Sequence, residues 1–144
     1  MKKIIALLTL FITVVIISAC GDEGESAEKL TTDDVIKAFQ DAGLEAEEPK
    51  EMTKDDYGMA PMKADEGVRF FIPSLGEDSG GRILTYSDQA DLEEMKEYYD
   101  SMGEESAMLF SWTMKKDNVL VQINGDLEED KYNEYKEALN SIGK

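Results

Sequence analysis

Histidine is absent from this 144-residue chain and cysteine occurs once. Without imidazole the chain lacks the usual near-neutral acid and base, and the commonest zinc ligand. A serine or cysteine nucleophile has no histidine partner to activate it. The single thiol, Cys20, excludes an intrachain disulfide, so burial of the apolar residues, 42 % of the chain, has to hold the fold together. Positive charge is also scarce: 15 Lys and Arg stand against 32 Asp and Glu, a formal charge of −17. Lys2 and Lys3 are the only charges before Cys20, so the body beyond it is more acidic still. Affinity for phosphates needs clustered cations, and the longest basic pair in the body is Lys115-Lys116. Nucleic acid is therefore not an expected partner, and an anionic membrane surface is disfavoured.

Apolar residues are concentrated first at the N-terminus. "MKK" followed by "IIALLTLFITVVIISA" has the layout of an export signal, a short positive region and then a continuous apolar one. The apolar run, Ile4 to Ala19, has 16 residues, short of the ~20 that cross a bilayer as a helix, and no stop-transfer cluster of Lys and Arg follows it. A retained transmembrane anchor is the less economical reading. At Ile17-Ser18-Ala19-Cys20 the segment resembles the lipobox of bacterial lipoproteins, an aliphatic residue and two small ones before a cysteine. That resemblance implies a diacylglyceryl group on the Cys20 sulfur and removal of residues 1–19. Two acyl chains, at ~0.8 kcal/mol per buried CH₂, anchor firmly where one would be marginal. A buried core thiol does not fit an apolar-to-acidic boundary. Residues 20–30 read as the lipidated cysteine and a flexible acidic tether, and residues 31–144 as one globular domain.

Within the domain, Thr31-Thr32-Asp33-Asp34 starts a helix whose stripe is Val35, Ala38, Phe39 and Ala42 and whose end is Gly43, with Leu44 folding back. "GVRFFIP" and "RILTYS" form a hairpin. A helix follows from Ser87 or Asp88 to Gly103, with Leu92, Met95, Tyr99 and Met102 on one face and Tyr98 at the rim. Met108, Phe110, Trp112 and Met114 alternate, as do Val119, Val121 and Ile123 after "KKDN", so a second hairpin is expected with Trp112 in the core. A last helix begins near Asp126-Leu127-Glu128-Glu129, carries Leu127, Tyr135, Ala138, Leu139 and Ile142 inward with Tyr132 at its margin, and closes at Gly143. The order is α-ββ-α-ββ-α, with an extra strand possible near Leu44–Glu47. The expected class is α+β: an antiparallel sheet of four or five strands built from two hairpins, with three helices packed on one face.

Residues 47–67 are the longest piece without a clear period and read as a loop. Tyr57, Met59 and Met62 stand there among charges and are either a partner-binding patch or a seal at the edge of the core. Met59-x-x-Met62 lacks the His or Cys that would make a Cu(I) site, and "GEDSGG" and "NGDLEED" do not fit a calcium loop. No metal and no cofactor is expected. The carboxylates are better explained as helix-start charges and solvated helix faces than as a catalytic pair.

"TKDDYGMAPMKADEGVRFFIPSLGEDSGGRI" together with "NVLVQINGDL" resembles a family of small, uncharacterised lipoproteins of Gram-positive bacteria, often grouped as stress proteins. The resemblance implies a lipid-anchored protein of the cell membrane facing outside the cytoplasm. It carries no catalytic residue, ligand or partner. The expected function is a non-catalytic binding or envelope module with a protein or cell-wall partner. The alternative is a carboxylate-dependent hydrolase of cell-wall polysaccharide, which would need two carboxyls across a cleft, one with a raised pKa. Mass spectrometry of native protein is expected to find a mature chain beginning at diacylglyceryl-Cys20, and an unprocessed Met1 start with a bare thiol would remove the anchor.

Overall fold

A computed structural model describes residues 28–144, and Ile17, Ser18, Ala19 and Cys20 lie outside the described residues. Helix α1 spans Thr32–Asp41. Its cap is Thr31, whose hydroxyl accepts the Asp34 N–H at 3.2 Å while the Asp34 carboxylate accepts the Thr31 N–H at 2.9 Å. At the other end Gly43 takes φ 75°, and the Leu44 N–H bonds back to the Phe39 carbonyl at 2.9 Å. This Schellman ending buries Leu44, as the sequence pattern predicts.

Five strands follow: β1 Glu47–Glu51, β2 Glu66–Phe71, β3 Gly80–Thr85, β4 Ser111–Lys116 and β5 Val119–Asn124. They form one antiparallel sheet in the order β1-β2-β3-β5-β4, so the expected α+β class with an antiparallel sheet holds. Both hairpins, β2–β3 and β4–β5, are where the sequence puts them. The fifth strand is β1, and it falls inside the stretch read as a loop. All five of its residues are exposed, Glu48 has φ 43°, and the register slips between Glu47 and Lys50. An edge strand so charged, with Pro49 in it, has no buried face to produce an alternation. A four-residue helix, α2 at Lys54–Tyr57, occupies more of the same stretch.

Two longer helices complete the fold, α3 Gln89–Glu105 and α4 Glu129–Ser141. The helices do not share one face of the sheet, which corrects that part of the expected architecture. Helices α1 and α4 cover the face that carries Phe70, Ile83, Met114, Val121 and Ile123. Phe39, Phe70 and Tyr135 meet there, with the Phe39 and Tyr135 rings edge to face at 5.0 Å. Helix α3 packs on the opposite face, where Leu92, Met95 and Tyr99 meet Leu84 and Leu120. The cause lies in the central strands. In β5 every residue from Val119 to Ile123 is buried, and in β3 both Ile83 and Leu84 are. A strand apolar on both sides needs cover on both sides.

Two local readings also change. Gly103 does not stop α3 but lies inside it, and a side chain there would press on the Phe110 ring at 3.1 Å. Met108 and Phe110 do not continue the β4 alternation: residues Ala107–Leu109 form a 3-10 turn, and Met108 is 94 % and Phe110 42 % exposed. Trp112 does join the core edge, half-buried, stacked on Tyr132 at 4.5 Å and donating its ring N–H to the Leu127 carbonyl at 2.9 Å. Because both faces are load-carrying, Leu120→Ala and Ile123→Ala, on opposite sides of β5, are each expected to cost about 2–5 kcal/mol in urea denaturation. A near-neutral Leu120→Ala would contradict the two-faced core.

Candidate functional site

Two unequal pieces cover the second face. Helix α3 lies along β4 and β5, held by an ion pair between Lys115 and Glu93 and by Thr113 Oγ1 donating to Asp100 at 2.6 Å. Residues 52–64 lie along β2 and β3, with Met52 and Ala60 buried and Tyr57 packed beside them. The pieces are lashed together at one end, where Lys63 Nζ donates to Asp91 at 2.9 Å and Glu94 at 2.6 Å. These two bonds raise the Lys63 pKa. Toward the other end of the sheet the pieces diverge and leave a groove of about 670 Å³. A volume of this order suits a small ligand or a few residues of peptide.

The floor of the groove is the polar side of the sheet, contributed by Arg69, Arg82 and Gln122 of β2, β3 and β5. One wall is Tyr57, Gly58 and Met59; the other is Tyr98, Tyr99 and Met102 of α3 with residues 107–110. Close approach shapes both walls. A Cβ at Gly67 would lie 2.7 Å from the Tyr57 hydroxyl, and one at Gly125 would lie 2.3 Å from the Phe110 carbonyl oxygen and 2.7 Å from its ring. Glycine at those positions lets Tyr57 rest on the sheet and Phe110 rest on the β5–α4 turn.

Arg69 and Arg82 are the only arginines in the chain, every other cation being lysine. They are register partners across β2 and β3. Side chains so opposed have Cβ atoms about 5 Å apart, and like charges there are mutually destabilising. Arg69 is compensated, its Nη1 donating to Asp56 at 2.8 Å. Arg82 has only a neutral partner among the described residues: Nη1 donates to Gln122 Oε1 at 2.8 Å, and Nε is buried without a hydrogen-bond partner. Burial raises the pKa of the adjacent Tyr99 phenol, and the Arg82 charge opposes that rise.

Asp56 couples the short wall to the floor. Its Oδ2 accepts the Thr53 N–H at 2.7 Å and the Thr53 hydroxyl at 2.8 Å, capping α2, while Oδ1 takes Arg69. The Thr53 N–H and then Arg69 hold the Asp56 pKa down to about 2. A carboxyl so depressed is fixed as an ion-pair partner, the reverse of a proton donor.

Of the three residues singled out between positions 47 and 67, two line the groove. Tyr57, half-buried with a pKa raised by burial, and Met59, 92 % exposed, line the groove. Met62 is 54 % exposed and does not line the groove. Arg69, Arg82, Gln122 and the exposed run Met108, Leu109 and Phe110 join the site from other elements. The sequence placed both arginines on the strands of one hairpin, but their pairing follows from β3 beginning at Gly80, two residues earlier than the pattern "RILTYS" suggests. Among the described residues no three acidic side chains come together to hold a metal ion, and no helix is long and apolar enough to cross a membrane. Comparison with protein-family models, with curated proteins and with solved structures finds no match.

A depressed carboxylate stabilises the fold above its unfolded pKa, near 4, and the contribution is lost as pH falls toward 2. Asp56→Asn is expected to be about 1 kcal/mol less stable at neutral pH, through the weakened cap and ion pair, and to lose less stability than the native chain between pH ~4 and ~2. Parallel pH profiles in urea denaturation would remove Asp56 from this role.

Proposed function

We propose that this protein is a lipid-anchored, extracytoplasmic binding module of the cell membrane of a Gram-positive bacterium, non-catalytic, with the groove on the second face of the sheet as its docking surface. The observation that carries the reading is the placement of the groove relative to the point where the chain enters the fold. Asn118, in the β4–β5 turn, accepts the Leu30 N–H at 2.9 Å and donates to the Leu30 carbonyl at 2.9 Å. Lys29 Nζ donates to Ser87 at 3.0 Å beside it. The tether therefore joins the domain at the turn end of β5, and the groove lies toward Asn124 and Gly125, at the far end of the same strand. At about 3.4 Å per residue, the length of β5 sets these ends roughly 17 Å apart. A chain anchored through Cys20 would leave the groove at the end of the domain opposite its attachment, open to a partner in the envelope.

The chemistry of the groove supports binding over hydrolysis. Its floor holds guanidinium and amide groups, and Asp56 is committed to Arg69. The other lining aspartates, Asp55, Asp78 and Asp126, are exposed and not set in an apolar pocket, and the rim carries Met59, Met108 and Phe110 in solvent. Methionine at such a rim adapts to varied apolar partners. The test is photocrosslinking in intact cells from a benzophenone side chain placed at position 59, at position 108, or at position 37 on α1. Adducts are expected from 59 and 108 and not from 37, and Cys20→Ser is expected to abolish them by releasing the protein from the membrane. Equal adducts from all three positions, or adducts from position 37 alone, would reject the groove as the docking surface.

A further inference from the structure

The opposed arginines specify what the groove takes. Two arginines stand in register on one face of β2 and β3, the Arg69 guanidinium on Asp56 and over the Phe71 ring and the Arg82 guanidinium turned to Gln122 of β5, so the short wall supplies a carboxylate to only one of them. The other, Arg82, keeps a neutral partner and an unsatisfied Nε at the groove floor. An anion at the floor would offset the like charges and give the Arg82 guanidinium the ionic partner that Asp56 gives Arg69. Guanidinium is the cation that takes a carboxylate through paired N–H bonds, which a lysine in the same place could not do.

The surroundings narrow the anion further. Asp55, Asp78 and Asp126 line the groove as well, beside the Asp56 that pairs with Arg69, and the whole protein is strongly acidic. A ligand with several negative charges is therefore repelled, and only a single carboxylate set directly on the arginines is admitted. Beside the arginines lie Ser111, Gln122 and Asn124, polar groups that match peptide amides and not an acyl chain. The apolar residues Met108, Leu109 and Phe110 sit at the rim, 94 %, 49 % and 42 % exposed. We infer that the groove captures the free C-terminal carboxylate of a short peptide, with the carboxylate on Arg82 and Arg69 and an apolar last side chain against Phe110 and Met108. This inference rests on the groove being the docking surface and names its ligand.

Calorimetric titration of the full-length protein in nanodiscs tests it with four probes: acetyl-Gly-Ala-Leu as free acid, the same peptide as C-terminal amide, 4-methylpentanoate and inorganic phosphate. The free-acid peptide is expected to bind, and the amide at least about tenfold more weakly. Arg82→Gln is expected to weaken the free acid by a similar factor without lowering the melting temperature, because it removes a like-charge opposition. Should Arg82→Gln unfold the protein, Arg82→Lys, which keeps the charge but not the paired N–H geometry, is expected to weaken the free acid severalfold. The inference fails if acid and amide bind alike, if 4-methylpentanoate or phosphate binds more tightly than the peptide, if Arg82→Gln folds and binds unchanged, or if no probe saturates at millimolar concentration. Position-dependent crosslinks from 59 and 108 that persist while acid and amide bind alike would leave the docking surface standing and remove the carboxylate alone.

Discussion

The two-sided burial of β3 and β5 governs the rest of this fold. Ile83, Val121 and Ile123 point one way and Leu84 and Leu120 the other, so neither face of the sheet centre can be left to water. Helices α1 and α4 meet the first demand over most of the sheet. The second demand is met by α3, whose 17 residues follow β4 and β5, and by the irregular stretch 52–64. Together these leave one end of the second face open, and there the strands change character. Leu84 gives way to Arg82 and Leu120 to Gln122, two residues further along the same side of each strand. The groove is thus the part of a two-faced sheet that its covering layer does not reach.

Electrostatics works at two ranges in this molecule. At long range the excess of carboxylates makes it a polyanion, repelled by other polyanions. At the groove floor the two arginines of the chain stand in register among four lining aspartates, one of which, Asp56, is shared between capping α2 and pairing with Arg69. Salt screens the first effect over about 8–10 Å and leaves the short-range contacts largely intact. A surface that discourages most anions and a pocket that holds one are therefore compatible. The same Asp56 ties the position of the Tyr57–Met59 wall to the charge state of the floor.

Much of the local structure was legible. The Thr31 cap, the Gly43–Leu44 ending, the two hairpins and the burial of Tyr99 with Tyr98 at the rim all depend on neighbours within a few residues, and short-range spacing reports them. Three features were not. The edge strand β1 is exposed on both sides, so it leaves no periodic trace. Gly103 looks like a helix stop when its reason is the Phe110 ring packed against it from a later element. Phe110 itself continues an alternation in sequence but falls just outside the strand, so its ring forms a rim where an inward position was expected.

By itself the sequence determined the class of fold and most of the inward helix residues, Val35, Phe39, Leu92, Met95, Tyr99, Tyr135, Ala138 and Leu139, because caps, turns and periodicity are consequences of local backbone geometry. Ala42 is exposed, and Ile36 is buried in its place. The tertiary structure alone decided that the helices divide between the two faces, because a buried strand has the same apolar run whether one layer covers it or two. It also decided that Arg69, Arg82, Gln122, Tyr57 and Phe110, drawn from separate elements, border a single groove. That juxtaposition follows from strand register and from the divergence of two covering segments, quantities set by packing across long sequence separations.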